Sequence, residues 1–218
     1  MADDATAHDM IDVSRLRAAR LVDRIEHHET LGSTNDYLRQ VAANVPHGET
    51  MLVVADRQTA GRGRGANRWW TGTGSLAVSL LFEPAAHGIA TPRYPMISLA
   101  AAVALIETVA PLVPLEVVSL HWPNDVFVAE RKLAGILVEA LADGRHVLGI
   151  GCNVNNRLAD APSELSARVV TLADLTDRMH HRSNLLLVLL ERLHAGLQEL
   201  AEHPEQLVVY GGSGRAAR

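Results

Sequence analysis

The stretch GRGRGANRWW, residues 61–70, places Arg62, Arg64 and Arg68 among Gly61, Gly63 and Gly65 and closes with Trp69 and Trp70. Glycines let backbone N–H groups converge on one point, and guanidinium forks match phosphate or carboxylate oxygens two at a time. The GxxxxGK[ST] pattern of a P-loop is absent. The chemistry implied is a flexible cationic lid that wraps a small anion, with indoles lending apolar surface. Two plainer readings are a solvated loop and an arginine–glycine box that touches RNA. A formal net charge of -5 argues against a nucleic-acid partner, because phosphate backbones are held by basic surfaces.

A second stretch, HWPNDVFVAERKLAGILVEA, holds Asn124 and Asp125 at the mouth of a hairpin that returns through Lys132 and Gly135. Lys132 is the only lysine among 20 basic residues. Lysine is a compact point charge, and a site that needs this geometry is not served by arginine. Glycine within a strand marks close approach of a ligand or another backbone. Ordinary turn chemistry and an ordinary exposed lysine would also explain the segment. In GIGCNVN, residues 149–155, strand periodicity puts Gly149, Gly151, Asn153 and Asn155 on one face. Leu148, Ile150, Cys152 and Val154 take the other. The bare face suits a flat ring, whereas Cys152 reads as a core residue. In GSTND, Ser33 or Thr34 caps a helix, and its hydroxyls can still face a pocket. The pairs His27-His28 and His180-His181 lack HExxH spacing, so no metal site is assigned.

These segments need elements to position them. With 218 residues and 48% hydrophobic content the chain can bury one core. No apolar run of membrane length and no secretory leader are read, and a single cysteine excludes an internal disulfide. The expectation is a cytoplasmic protein without a membrane partner. Strands are expected at 22–30, 50–58 and 75–83, and helices after Ser33, over 94–110 and over 183–203, the last from a serine cap. Four β-like runs, EVVSLHW, DVFVAE, RKLAGILVEAL and RHVLGIGCNVN, predict an antiparallel meander. The closing LVVY is expected as a short strand. The fold class is α/β (α+β), a central mixed, largely antiparallel sheet flanked by helices. Residues 1–20 read as a polar segment or short helix, 21–207 as the domain and 208–218 as a tail.

Taken in order, STN, DRQTAGRGRGANRWW, HWPNDVFVAERKLAGILVEA and GIGCNVN resemble the signature segments of biotin–protein ligases over residues 25 to 200 or so. Lipoate ligases share the fold without the arginine–glycine loop. The resemblance implies a core related to class II aminoacyl-tRNA synthetases. It implies that biotin is activated with Mg-ATP as biotinyl-5′-AMP and then passed to a lysine of a biotin carboxyl carrier domain. By the same resemblance, Lys132 sits between biotin's carboxylate and the α-phosphate, and Arg62 and Arg64 close on biotin and phosphates. Ser33, Thr34, Asn35 and Gln58 bind biotin, with Gly61, Gly63 and Gly135 giving backbone access. Arg68, Trp69, Asn124, Asp125 and Asn153 serve ATP, with Mg²⁺ near Asp125.

Three departures accompany the resemblance. His121 stands where the family has lysine, which supplies less charge to the triphosphate. Nothing before residue 20 forms a DNA-binding winged helix. The chain stops near the expected start of a C-terminal barrel. A biotin-binding module with impaired adenylation therefore stands as the alternative to a monofunctional ligase, and homodimerisation through the sheet is left open.

Overall fold

The computed structural model describes residues 9–113, 118–205 and 207. After α1 (Val13–Ala18), β1 (Arg24–Leu31) runs into α2 (Thr34–Val41), followed by β2 (Met51–Gln58) and β3 (Leu76–Phe82). Helix α3 (Ile97–Val109) precedes four strands, β4 (Val118–His121), β5 (Asp125–Val128), β6 (Arg131–Ala140) and β7 (His146–Cys152). Two short helices, α4 (Ser163–Ser166) and α5 (Leu172–Thr176), lead to the long α6 (Arg182–Glu202).

The strands form one seven-stranded sheet in the order β1-β2-β3-β7-β6-β5-β4. Only β1 and β2 are parallel; the remaining pairs are antiparallel, and β4 to β7 form the expected meander. Alternation along the strands divides the sheet into two faces. Leu52, Val54, Leu76, Val78, Leu148 and Ile150 join the main core, which also holds α3 and α6. Cys152 belongs to that core as well. Met51, Val53, Leu81 and Val147 point the other way and meet Leu38 of α2 and Ala42 just after it. Helix α3 is apolar all round and correspondingly buried on nearly every side. Its helical stretch, Thr91–Leu112, is long and apolar enough to cross a bilayer, which the absence of an unbroken apolar run had not anticipated. Here it packs between α6 and the sheet.

Several element ends differ from expectation. Ser33 is the cap of α2, accepting from the Asp36 N–H, but Ser183 does not cap α6. That helix starts one residue earlier, and the Ser183 hydroxyl accepts the N–H of Asp12 instead. Residues 9–12 are thus tied to α6, and the guanidinium of Arg182 clasps Asp9 and Asp56. The stretch expected as helix from 94 begins as a 3-10 turn, Thr91–Met96, because Pro95 cannot donate its backbone nitrogen. Leu207 is helical and buried rather than the start of a strand; Val208 onward, and the first two residues of EVVSLHW, lie outside the described residues.

Candidate functional site

Helix α2 covers only part of its face of the sheet. Beside it the strands carry their smallest residues in register, Ala77 against Gly151, Ser79 against Gly149, and Gly135 against Gly151. Of these, Gly135, Gly149 and Gly151 line the floor of a cleft of about 790 Å³. The indole of Trp69 lies on this floor. A Cβ at Gly151 would collide with its ring, and one at Gly135 would stand 3.3 Å from Trp69 Cζ3 and from Lys132 Nζ. The indole N–H is buried and has no hydrogen-bond partner among the described residues.

One wall is neutral and polar. Parallel pairing sets the C-terminal ends of β1 and β2 side by side, with Leu31 opposite Gln58. The start of α2, directly after β1, therefore meets the last residue of β2. The Thr34 N–H donates to Gln58 Oε1 at 2.8 Å, and Gln58 Nε2 donates to Thr71 Oγ1 at 3.0 Å. Ser79 Oγ lies 2.7 Å from Thr34 Oγ1 and 2.6 Å from Asn35 Oδ1. Ser33, Thr34, Asn35 and Ser79 are all buried.

The opposite end is ionic. Lys132 Nζ stands 2.7 Å from Asp125 Oδ2, both side chains a little under a third exposed, and 5.8 Å from the centroid of a Trp69 ring. Asn124 Nδ2 donates to Ile136 O at 2.9 Å, leaving its Oδ1 to accept from Arg64 Nη1 at 3.1 Å. Asn153 is buried, accepting from Asn156 Nδ2 at 3.1 Å. His121 is exposed and stacks on Phe127 at 3.8 Å.

Residues 61–69 bridge the two ends as a small hairpin. Arg62 pairs with Arg68, Gly63 N–H donates to Asn67 O, and Trp69 N–H donates to Gly61 O. Gly65 turns the hairpin at φ +61°, a backbone region that glycine enters without steric penalty. The expected flexible lid is therefore a cross-bonded strap. Arg64 reaches the Asn124 end. Arg62 turns the other way, onto Asp36 at 2.6 Å and Glu139 at 2.9 and 3.0 Å.

Every site residue expected from the sequence lines the cleft except Gly61, which lies at the base of the strap. Asn155 is a correction. The strand ends at Cys152, so period-two alternation no longer applies, and the Asn155 side chain bonds Asp9 and the backbone of His180. Ser79, Glu139 and Thr71 were not anticipated. Glu139 shares the face of Gly135 and Leu137 by simple alternation, so its inward carboxylate was discoverable from spacing.

The profile of the biotin/lipoate A/B protein ligase family matches residues 28–155, more than half of the chain. The chain belongs to that family. Among curated relatives, the biotin–[acetyl-CoA-carboxylase] ligase of Mycobacterium tuberculosis is 37% identical over 75% of this chain and 60% of its own length. The bifunctional ligase/repressor BirA of Bacillus subtilis is 33% identical over 73% of this chain and 49% of its own length. The chain thus spans about half to three-fifths of these relatives. A biotin protein ligase from Aquifex aeolicus, solved in complex with biotin and ATP, superposes with a TM-score of 0.71 at 31% identity, covering 83% of this chain and 73% of that one. The mixed seven-stranded sheet with flanking helices is the fold of this ligase family, in keeping with a class II synthetase-like core.

Proposed function

We propose that residues 21–207 form the catalytic domain of a biotin–protein ligase, which makes biotinyl-5′-AMP from biotin and ATP and transfers the biotinyl group to a lysine of a biotin carboxyl carrier domain in the cytoplasm. The observation that carries this reading is polarity along one slot. A buried neutral hydrogen-bonding wall stands at one end, a lysine and arginines gather at the other, and bare strand backbone joins them. A ligand with a polar ring head, an apolar tail and a terminal carboxylate fits that sequence of environments.

On this reading Ser33, Thr34, Asn35 and Gln58 hold the ureido ring, while the bare backbone at Gly135 and Gly151 seats the Trp69 indole that walls the slot. The tail delivers its carboxylate to Lys132. That oxygen attacks the α-phosphorus, the Pα–O bond to pyrophosphate breaks, and a mixed anhydride remains. The attack joins two anions, so fixed cations are required to offset their repulsion and to stabilise the charge that develops. Lys132 supplies a point charge aimed by Asp125, while Arg64 and Arg68 serve the phosphates, beside Asn124 and Asn153. In the second step the carrier amine attacks the anhydride carbonyl, AMP leaves and the amine loses a proton. The strap excludes water from the hydrolysable intermediate meanwhile.

No group of three or more acidic, histidine or cysteine side chains that could cage a metal is present among the described residues. The single carboxylate of Asp125 fits Mg²⁺ carried on ATP, which takes one or two protein carboxylates and keeps the rest of its shell on phosphate and water. Bound there, the ion would neutralise phosphate charge.

The test is mass-spectrometric detection of biotinyl-5′-AMP after mixing protein, biotin and Mg-ATP, with Lys132→Ala alongside. Adenylate from the parent protein, reduced by ~100-fold or more in the variant, is expected for loss of a charge acting on the transition state. Biotin bound without adenylate would favour a binding module.

A further inference from the structure

Arg62 and Arg64 are two residues apart in the strap, yet they meet opposite chemistry. Arg64 touches one neutral amide oxygen. Arg62 is forked onto both oxygens of Glu139 and also reaches Asp36. A guanidinium bidentate to one carboxylate and shared with a second is charge-compensated and geometrically fixed. An incoming anion would have to displace the carboxylates of Glu139 and Asp36 already paired to Arg62, which makes Arg62 a poor anion hook.

The carboxylate of Glu139 is itself held. Asn35 Nδ2 donates to Oε2 at 2.9 Å, and Arg39 Nη1 donates to Oε1 at 2.9 Å. Asn35 continues through Ser79 to Thr34 and Gln58. The holding point of the strap is thus continuous, by hydrogen bonds, with the polar wall of the cleft. Burial raises the Glu139 pKa, but the Asn35 and Arg62 hydrogen bonds and the Arg62 and Arg39 charges outweigh it, leaving Glu139 below the usual carboxylate range.

We propose that Glu139 is the positioning residue of the strap: with Asp36 it fixes Arg62 as an anchor, so that Arg64 and Arg68 are the arginines presented to the ligand's anionic end. The anchor stands on the geometry alone. Its consequence, retention of an acyl-adenylate beneath the strap, rests on the ligase reading above.

The test uses Glu139→Gln, Arg62→Gln and the double variant of the full chain. Hydrogen–deuterium exchange of peptides covering residues 60–70 reads the strap, and escape of biotinyl-5′-AMP into solution reads retention. Each single variant is expected to speed strap exchange by about tenfold, as an opened local unit does. The double variant should be no faster than either single one, since both remove the same contact. A merely structural role would lower the melting temperature while leaving exchange at the strap unchanged, and that outcome overturns the proposal. Faster exchange with undiminished adenylate retention overturns the retention role. Faster exchange where even the parent forms no adenylate supports the anchor and sinks the ligase reading instead.

Discussion

At the scale of single residues, the cleft is defined as much by missing side chains as by those present. Gly151→Ala would push a methyl group into the Trp69 ring, and the stiff strand backbone cannot yield as easily as the indole. If biotin occupies the cleft as proposed, the expected outcome is a biotin Kd raised by ~10-fold or more, with a melting temperature within a few degrees of the parent, since overpacking costs ~1–3 kcal/mol at most sites. Calorimetry and a thermal melt read the two effects separately. Cys152 gives a complementary expectation. Burial pushes its thiol up to about 12, so a disulfide reagent at pH 8 should react only after denaturation. Glycine positions and the arginine–glycine run were legible because their residue types are unusual for where they stand. Ser79 was not, since a serine inside an apolar strand looks like any tolerated polar residue until Thr34 and Asn35 arrive from 45 positions or so away.

Elements were legible where their periodicity is strong. The β4–β7 meander and α3 followed from alternation and from continuous apolarity. Pairing partners were not, because period two fixes which face a residue takes but not which strand lies beside it. The parallel β1–β2 pair, which brings Gln58 to Thr34, is of that kind. The docking of residues 9–12 on α6 was hidden for a related reason: Ser183 reads as an ordinary helix cap, and nothing in the sequence shows that Arg182 before it is buried against Asp9, Asp56 and the Ser75 carbonyl. Arg182→Met should destabilise the fold by ~3 kcal/mol, because two carboxylates lose a shared buried partner. Denaturant unfolding measures it. A loss under 1 kcal/mol would mean that the clasp only guides residues 9–12 into place.

For the whole molecule, acid sensitivity follows from histidines that the fold keeps neutral. Burial lowers the pKa of His87, His146 and His180 below the ordinary 6.5. The unfolded chain then binds more protons than the native one as pH drops, so stability is complete above about pH 6.5 and declines as pH falls through the lowered native values. A second decline is expected below about pH 4.5, where Glu139, Asp23 and Asp143, held low by their partners, are forced to protonate. Thermal melts from pH 8 downward should show the first loss once the pH falls below about 6.5; a flat profile there would mean the histidines are protonated without cost. His146 packs against Tyr94 and Phe82 at the end of the sheet, so His146→Phe should make that first step smaller, leaving the share of His87 and His180.

If the chain is the ligase proposed above, the ion pair of Lys132 with Asp125 bears on chemical safety as well. An activated acyl group is a promiscuous electrophile toward amines. This chain displays no lysine on its outer surface to intercept one, because its single side-chain ammonium is drawn down into the cleft and engaged by a carboxylate. On that reading a leaked intermediate would find no side-chain amine on the outer surface of this chain, and its side chains should remain unacylated while adenylate is made.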